Sequence, residues 1–325
     1  MTDKTDKQYL YAVARIRSKE LLLLSKSDID GLMNCKSEKE CLRLLYDKGW
    51  GKTGNEDSEQ ILKAEREKTW DLMRDMVEDM SVFHTFLYQN DFHNLKAAIK
   101  QVYVNSDRND IFLADGTVDP DTIIQAVREH DFSTLPDFMQ ACAKEAYGVQ
   151  LETGDSQLSD IIIDKAALDT IYQKGKETKN ELLSLYAELK VASADLNIAV
   201  RCIKTGKDRS FVERALARCD SLDLDKLTDA IMDGEEALYR YLETTEYADA
   251  VQALKTSSSA FERWFDNLII HRIQPQKYNP FTLSPLAAYI LARENEIKTV
   301  RILLSGKRNN ISDKAIRERL REMYV

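Results

Sequence analysis

Glycine and proline are scarce, at 11 and 5 in 325 residues, well under the ~7% and ~5% of ordinary globular chains. No proline lies between Pro136 and Pro275. So long an interval without the residue that most reliably ends helices argues against a turn-rich sandwich or barrel. No stretch alternates apolar and polar residues for long enough to require a sheet. Ile161–Ile163 is the nearest candidate, and it reads more simply as part of a buried helix continuing to Tyr172. Long apolar runs are missing too: none approaches the ~18 residues that a membrane span needs. The opening MTDKTDKQ lacks the pattern of a secretory signal, so the expectation is a soluble protein of the cytoplasm. The five cysteines (Cys35, Cys41, Cys142, Cys202, Cys219) are scattered and odd in number, which fits a reducing compartment rather than a disulfide framework. With 46 Lys and Arg against 55 Asp and Glu, the net charge is −9, and an acidic chain is a poor match for nucleic acid.

What is present is helix-forming: Leu, Ala, Glu and Lys dominate, and 31% of residues are charged. The expected fold class is all-α. Apolar periodicity predicts helices near 8–24, 37–48, 57–88, 91–104, 119–130, 136–147, 156–173 and 177–205, and further ones near 208–219, 223–232, 234–243, 245–271, 285–305 and 312–323. Ser37 with Glu40 forms a capping box, and Asp119 before Pro120 is a cap followed by a proline at the first helical position. The expected loops are Asn105–Val118, Gly148–Gln157 and Gln274–Ser284, the last containing Pro275 and Pro280 and ending just before Pro285.

No group of residues has the spacing that an active site needs. Gly51-Lys52-Thr53 resembles the end of a phosphate-binding loop, yet the position that should hold its first glycine is Tyr46. Asp71, Asp75, Glu78 and Asp79 would share one side of the 57–88 helix, with Asp223, Asp225 and Asp229 as a conceivable facing cluster for magnesium. A solvated acidic face is the simpler reading, because Arg74 interrupts the run. His84, His93, His130 and His271 have no Cys or His at metal-ligand spacing, and Cys35 with Cys41 does not match a zinc knuckle. No serine or cysteine sits in a nucleophile elbow. The expectation is a chain with no catalytic residue, no cofactor and no metal.

The C-terminal segment Ser284–Val325 stands apart. It carries nine Lys and Arg against five Asp and Glu, a local +4 on a body that is otherwise −13. Ser284 and Pro285 read as a helix start, Gly306 as a left-handed stop, and Ser312 as the cap of a last helix. Arg301-x4-Gly306-Lys307 echoes Arg201-x4-Gly206-Lys207, one hundred residues earlier, and a short charged helix follows in both cases. A fainter relative sets Asp91-Phe-His-Asn94-Leu-Lys96 beside Asp195-Leu-Asn197-Ile. These echoes suggest three repeats of about one hundred residues, drawn at 1–115, 116–219 and 220–325.

Three segments resemble the C subunit of the bacterial and archaeal V/A-type ATPases, whose eukaryotic relative is the d subunit of the vacuolar ATPase. They are YLYAVARIRSKE at the start, Asp91-Phe-His-Asn-Leu-Lys96, and PLAAYILARENEIKTVRILLSGK near the end. The likeness runs in order from Tyr9 to Val325, although Thr299 stands where relatives often have Asn. The resemblance implies three similar multi-helical domains in a pseudo-threefold funnel. It implies a non-catalytic central-rotor subunit on the cytoplasmic face of the membrane, joining the central-stalk subunits D and F to the membrane proteolipid ring, with the membrane stator subunit as a further neighbour. In that role it would couple ATP hydrolysis or synthesis to H+ or Na+ movement. Long, glycine-poor helices suit such a part, since torque requires a stiff body.

Arg293, Arg301, Lys307 and Arg308 are the interface candidates. Two readings of them stay open: they dock a neighbouring subunit, or they pair with acidic residues of their own domain. A helical-repeat adaptor for an unrelated partner is the alternative for the whole chain.

Overall fold

The computed structural model of the chain describes residues 9–54, 56–106, 108 and 110–325, and every regular element among them is a helix. The first four are α1 (Leu10–Glu20), α2 (Lys26–Asn34), α3 (Glu38–Asp47) and α4 (Ser58–Arg74). Next come α5 (Tyr88–Tyr103), α6 (Pro120–Glu129), α7 (Asp137–Thr153), α8 (Ser156–Glu177), α9 (Glu181–Thr205) and α10 (Arg209–Ala215). The last six are α11 (Leu224–Asp233), α12 (Glu235–Leu242), α13 (Val251–Thr256), α14 (Ser258–Ile273), α15 (Ser284–Arg308) and α16 (Asp313–Arg317). The fold class is all-α, as the composition required. The chain forms two compact units, one from the residues up to Met80 together with Gln252–Val325, the other from Ser81–Val251.

Local chemistry sets the helix starts. Ser25 with Asp28, and Asp57 with Gln60, make reciprocal capping boxes. Ser37 also caps α3, but Glu40 turns its carboxylate to the Lys36 amide instead of closing the box. Several boundaries differ from the periodicity reading. The long 57–88 helix ends at Arg74, where Met76 and Val77 both donate to the Met73 carbonyl and tighten the chain into a turn that buries Val77. The 245–271 helix is interrupted at Ser257, whose hydroxyl starts α14. Gly148 lies inside α7, which runs to a left-handed Gly154, and α2 is a helix that the periodicity missed.

In the second unit, α5, α6, α7 and α8 close on a core that includes Phe92, Leu95, Ile123, Val127, Met139 and Ile163. Helices α8 and α9 approach closely at Gly175, where a β-carbon would lie 2.4 Å from that of Ala187. In the first unit, α15 is the central rod. Eighteen of its 25 residues are buried, including all from Ser284 to Arg293, so it is enclosed on every side at its start. It packs on α1, α2, α3, α4 and α14.

Three buried polar residues bind the backbone that returns past their helices. Asp91 on α5 accepts from the amides of Thr117 (2.7 Å) and Val118 (3.0 Å). Asp195 on α9 accepts from the Ala217 amide at 3.0 Å. Asn295 on α15 donates to the Glu322 carbonyl at 2.9 Å. The partners lie 22 to 27 residues downstream in each case.

The two Gly-Lys echoes, in contrast, do different work. Gly206 takes φ +61° and ends α9. Gly306 is not the left-handed stop that the sequence suggested: it is helical and buried within α15, and a β-carbon there would lie 2.6 Å from two atoms of Ile316. The chain turns at Asn310 instead, at φ +52°.

Gly306→Ala is expected to destabilise by about 1–3 kcal/mol through overpacking, and Ile316→Val should recover part of that loss in denaturant unfolding. Gly206→Ala should cost about 1–2 kcal/mol through backbone strain, with no recovery from Ile316→Val. Asp195 is fully buried with one carboxylate oxygen unpartnered, and burial lifts its pKa to about 8 despite the Ala217 amide and Lys165. Its folded value lies above the ~4 of an unfolded chain, so its contribution is complete below pH ~4 and is lost as pH rises towards 8. Asp195→Asn is therefore expected to gain stability over the parent at pH 8 relative to pH 5, and an equal difference at both would contradict this.

Candidate functional site

The sites tested for chemistry are occupied by the chain's own groups. The amides of the Gly51-Lys52-Thr53 loop face carboxylates: Gly51 donates to Glu65 at 2.8 Å, and Lys52 and Thr53 donate to Glu56. These backbone bonds hold the Glu56 carboxyl down at about 2. The Lys52 ammonium pairs with Glu67 at 2.8 Å. The acidic run does not share a helix face, because α4 stops before Asp75. Asp71 pairs with Arg74 (2.6 Å) and Asp75 with Arg15 (3.3 Å). Asp223 caps α11, and Asp229 binds Arg209 at 2.6 Å. Among the described residues no three His, Cys, Asp or Glu side chains are placed to hold a metal ion.

The C-terminal cations meet acidic residues of the same unit. Arg293 is 5% exposed and sits at the centre of a closed network. Its guanidinium donates to Glu65 at 2.5 Å, to Glu296, and to the Thr69 hydroxyl at 3.3 Å, and it lies 5.3 Å from the Trp50 ring centre. Glu296 also accepts from the Leu24 amide, and Glu65 from Lys68 at 2.6 Å. Burial raises the Glu296 pKa even with Arg293 beside it.

Lys307 is half-buried with its side chain enclosed, donating to the Met33 carbonyl at the end of α2 (2.7 Å) and to Asp313 (2.9 Å). Arg308 grips Glu38 with two nitrogens (2.6 and 3.0 Å) and reaches Ser58, so it joins the starts of α3 and α4. Arg301 is exposed, with Glu59 at 3.5 Å. Of the four candidates, then, Arg301 and Arg308 keep faces open to solvent, while Arg293 and Lys307 are committed to the interior. Thr299 is fully buried with its hydroxyl unpaired.

Two surfaces escaped the periodicity reading. Leu10, Tyr11, Leu21 and Leu22 lie along one exposed side of α1 and its end, with Leu21 at 85% exposure. Arg17 on the same helix holds the carbonyls of Gln276 and Asn279 (2.6 and 2.8 Å), a segment that exposes Tyr278 at 88% and Phe281 at 48%. An exposed apolar set of this kind marks an interaction site. Its signal was available in the Leu21–Leu24 run, where apolar residues continue past what one buried stripe can use. In the second unit, a groove of about 480 Å³ is lined by Lys96, Arg201, Cys202, Lys207 and Phe211. The Arg201 guanidinium is exposed and makes no ion pair among the described residues.

An all-helical chain whose polar interior is structural, with apolar and cationic faces left open, has the features of an assembly component. A family model described as the ATP synthase (C/AC39) subunit matches residues 12–319. The chain belongs to that family. It is 22% identical over 322 residues to the C subunit of the V-type sodium ATPase of Enterococcus hirae, covering 95% of this chain and 97% of that one. It is 22% identical to the C subunit of the A-type ATP synthase of Thermococcus kodakarensis, over 95% and 89% of the two chains. The corresponding protein of Methanosarcina acetivorans is 23% identical, over 98% and 94%. The resemblance carried by the opening, middle and C-terminal motifs is therefore correct, and this family member is a subunit of a rotary ATPase. Among its described residues no helix is long and apolar enough to cross a membrane.

The network around Arg293 makes a sharp contrast with Arg301. Arg293→Met leaves Glu296 buried without a cation and Glu65 with Lys68 alone, and is expected to cost about 3–5 kcal/mol in chemical denaturation. Arg301→Met, at an exposed pair, should change stability by less than about 1 kcal/mol.

Proposed function

We propose that the chain is the non-catalytic central-rotor subunit of a V/A-type ATPase, joining the central-stalk subunits D and F to the membrane proteolipid ring on the cytoplasmic face. In this role it transmits torque and couples ATP hydrolysis or synthesis to H+ or Na+ movement. Family membership carries the reading, because the relatives are named as the C subunits of sodium-ATPase and ATP-synthase complexes.

The three-domain arrangement in a pseudo-threefold funnel, with repeats near 1–115, 116–219 and 220–325, is part of the proposal. The recurrence of a buried Asp, Asp and Asn at 91, 195 and 295, each bound to downstream backbone, supports three related units. Closely packed helices, as at Gly175 and Gly306, supply the stiffness that a torque-bearing part needs.

Docking is assigned to the faces that remain open: Arg301 and Arg308 at the basic end, and Leu21, Leu22, Tyr278 and Phe281 at the apolar one. Charge gives register and selectivity between stacked subunits, and exposed aromatic and leucine side chains give the buried core of an interface. An adaptor for an unrelated partner has no observation in its favour.

Affinity capture of the tagged chain from its native membranes is expected to bring down ATPase subunits. Reversing Arg301 and Arg308 to Glu, or changing Leu21 and Leu22 to Ser, should reduce that recovery by about tenfold or more, an effect of roughly 1.4 kcal/mol or above. Full recovery with all four changed, in protein that still folds, would remove these faces from the docking surface.

A further inference from the structure

We propose that Cys35 and Cys41 are an oxidisable pair, converted by a low-molecular-weight disulfide of the glutathione type into a bridge between the end of α2 and the first turns of α3. The two thiols lie side by side over the last turn of α2. The Cys35 thiol donates to the Gly31 carbonyl (3.6 Å) and the Cys41 thiol to the next one, Leu32 (3.5 Å). The Leu32 carbonyl also accepts the Cys35 amide at 3.2 Å. The remaining cysteines, at 142, 202 and 219, belong to the second unit and are buried.

The pair is asymmetric in the way that such sites require. Cys35 is half-exposed and Cys41 is fully buried. Burial, with Cys35 adjacent, pushes the Cys41 thiol up to about 12, although the Lys307 ammonium nearby opposes this. Cys35 therefore reacts first and Cys41 resolves.

In the first step the Cys35 sulfur, as thiolate, attacks one sulfur of the small disulfide. That S–S bond breaks, and one small thiol leaves carrying the proton that Cys35 gave up. In the second step Cys41 loses its proton and attacks the Cys35 sulfur, expelling the second small thiol. Two protein thiols are oxidised and one small disulfide is reduced to two thiols. The bridge closes the loop containing Glu38, which holds Arg308, and it lies beside Met33, which holds Lys307. Oxidation would thus fix the α2–α3 elbow under the basic end of α15.

The test incubates the native full chain with oxidised glutathione, blocks free thiols with N-ethylmaleimide, and digests it with trypsin without reduction. Lys36 and Lys39 lie between the two cysteines, so a bridge appears as peptide 27–36 joined to peptide 40–43. The expected result is this linked pair in most molecules, released by dithiothreitol, with Cys142, Cys202 and Cys219 still reduced. In Cys41→Ser, Cys35 should instead keep a stable glutathione adduct. The proposal is overturned if the parent chain carries that same stable adduct, if both thiols stay free, or if the linked peptides form only after denaturation.

Discussion

One buried cation holds the first unit together. Arg293 lies in the middle of a helix that is enclosed on every side there, and a guanidinium cannot stay charged in such a place unless carboxylates meet it. One of those carboxylates, Glu296, is a turn away on the same helix. The other, Glu65, is on α4, far back in the chain. The two carboxylates then take the Leu24 and Gly51 amides, which brings the α1–α2 connection and the α3–α4 loop to the same point. The requirement to neutralise Arg293 therefore explains why residues before Met80 and after Gln252 form one unit across the intervening chain. Hydrophobic burial supplies most of the driving force, but the charge network selects this arrangement of segments.

The same logic answers the charge imbalance between the C-terminal segment and the rest. The local +4 is met by Glu38, Glu59, Glu65, Asp30 and Asp266 of its own unit. Exposed pairs of this type contribute little stability each, so their effect is on register between helices. The cationic groups with faces left for a neighbour are fewer than the sequence implied, and they are joined by apolar side chains that the charge pattern gave no reason to notice.

Helix content, most caps and the family were legible in the residues, because caps and periodicity are local and the family's helix-packing motifs are contiguous. Gly306 was misread because a glycine that makes room for Ile316 and a glycine that ends a helix look alike until the neighbour is known. The break after Arg74 was invisible because the apolar stripe continues through Val77 and Phe83, the first now in the turn and the second on a short 3-10 helix at Met80–Phe86. Whether Arg293 docks a neighbour or pairs within its own domain stayed open in the sequence, since its partner Glu65 is 228 residues away. Asn295 gave no signal beside Asp91 and Asp195 because its side chain is an amide, although it too bonds downstream backbone. Tertiary partners decided each of these cases, and one-dimensional spacing does not contain them.

The rotor coupler proposed above would contribute no chemistry of its own, so its removal should separate two activities that are otherwise tied. The most direct measurement compares ATP hydrolysis with ATP-driven ion uptake in membrane vesicles from cells lacking the chain, with and without the chain restored. The account predicts that the head still hydrolyses ATP, that ion uptake is absent, and that adding the chain back restores uptake. Ion uptake that proceeds at the normal ratio to hydrolysis without the chain would contradict it.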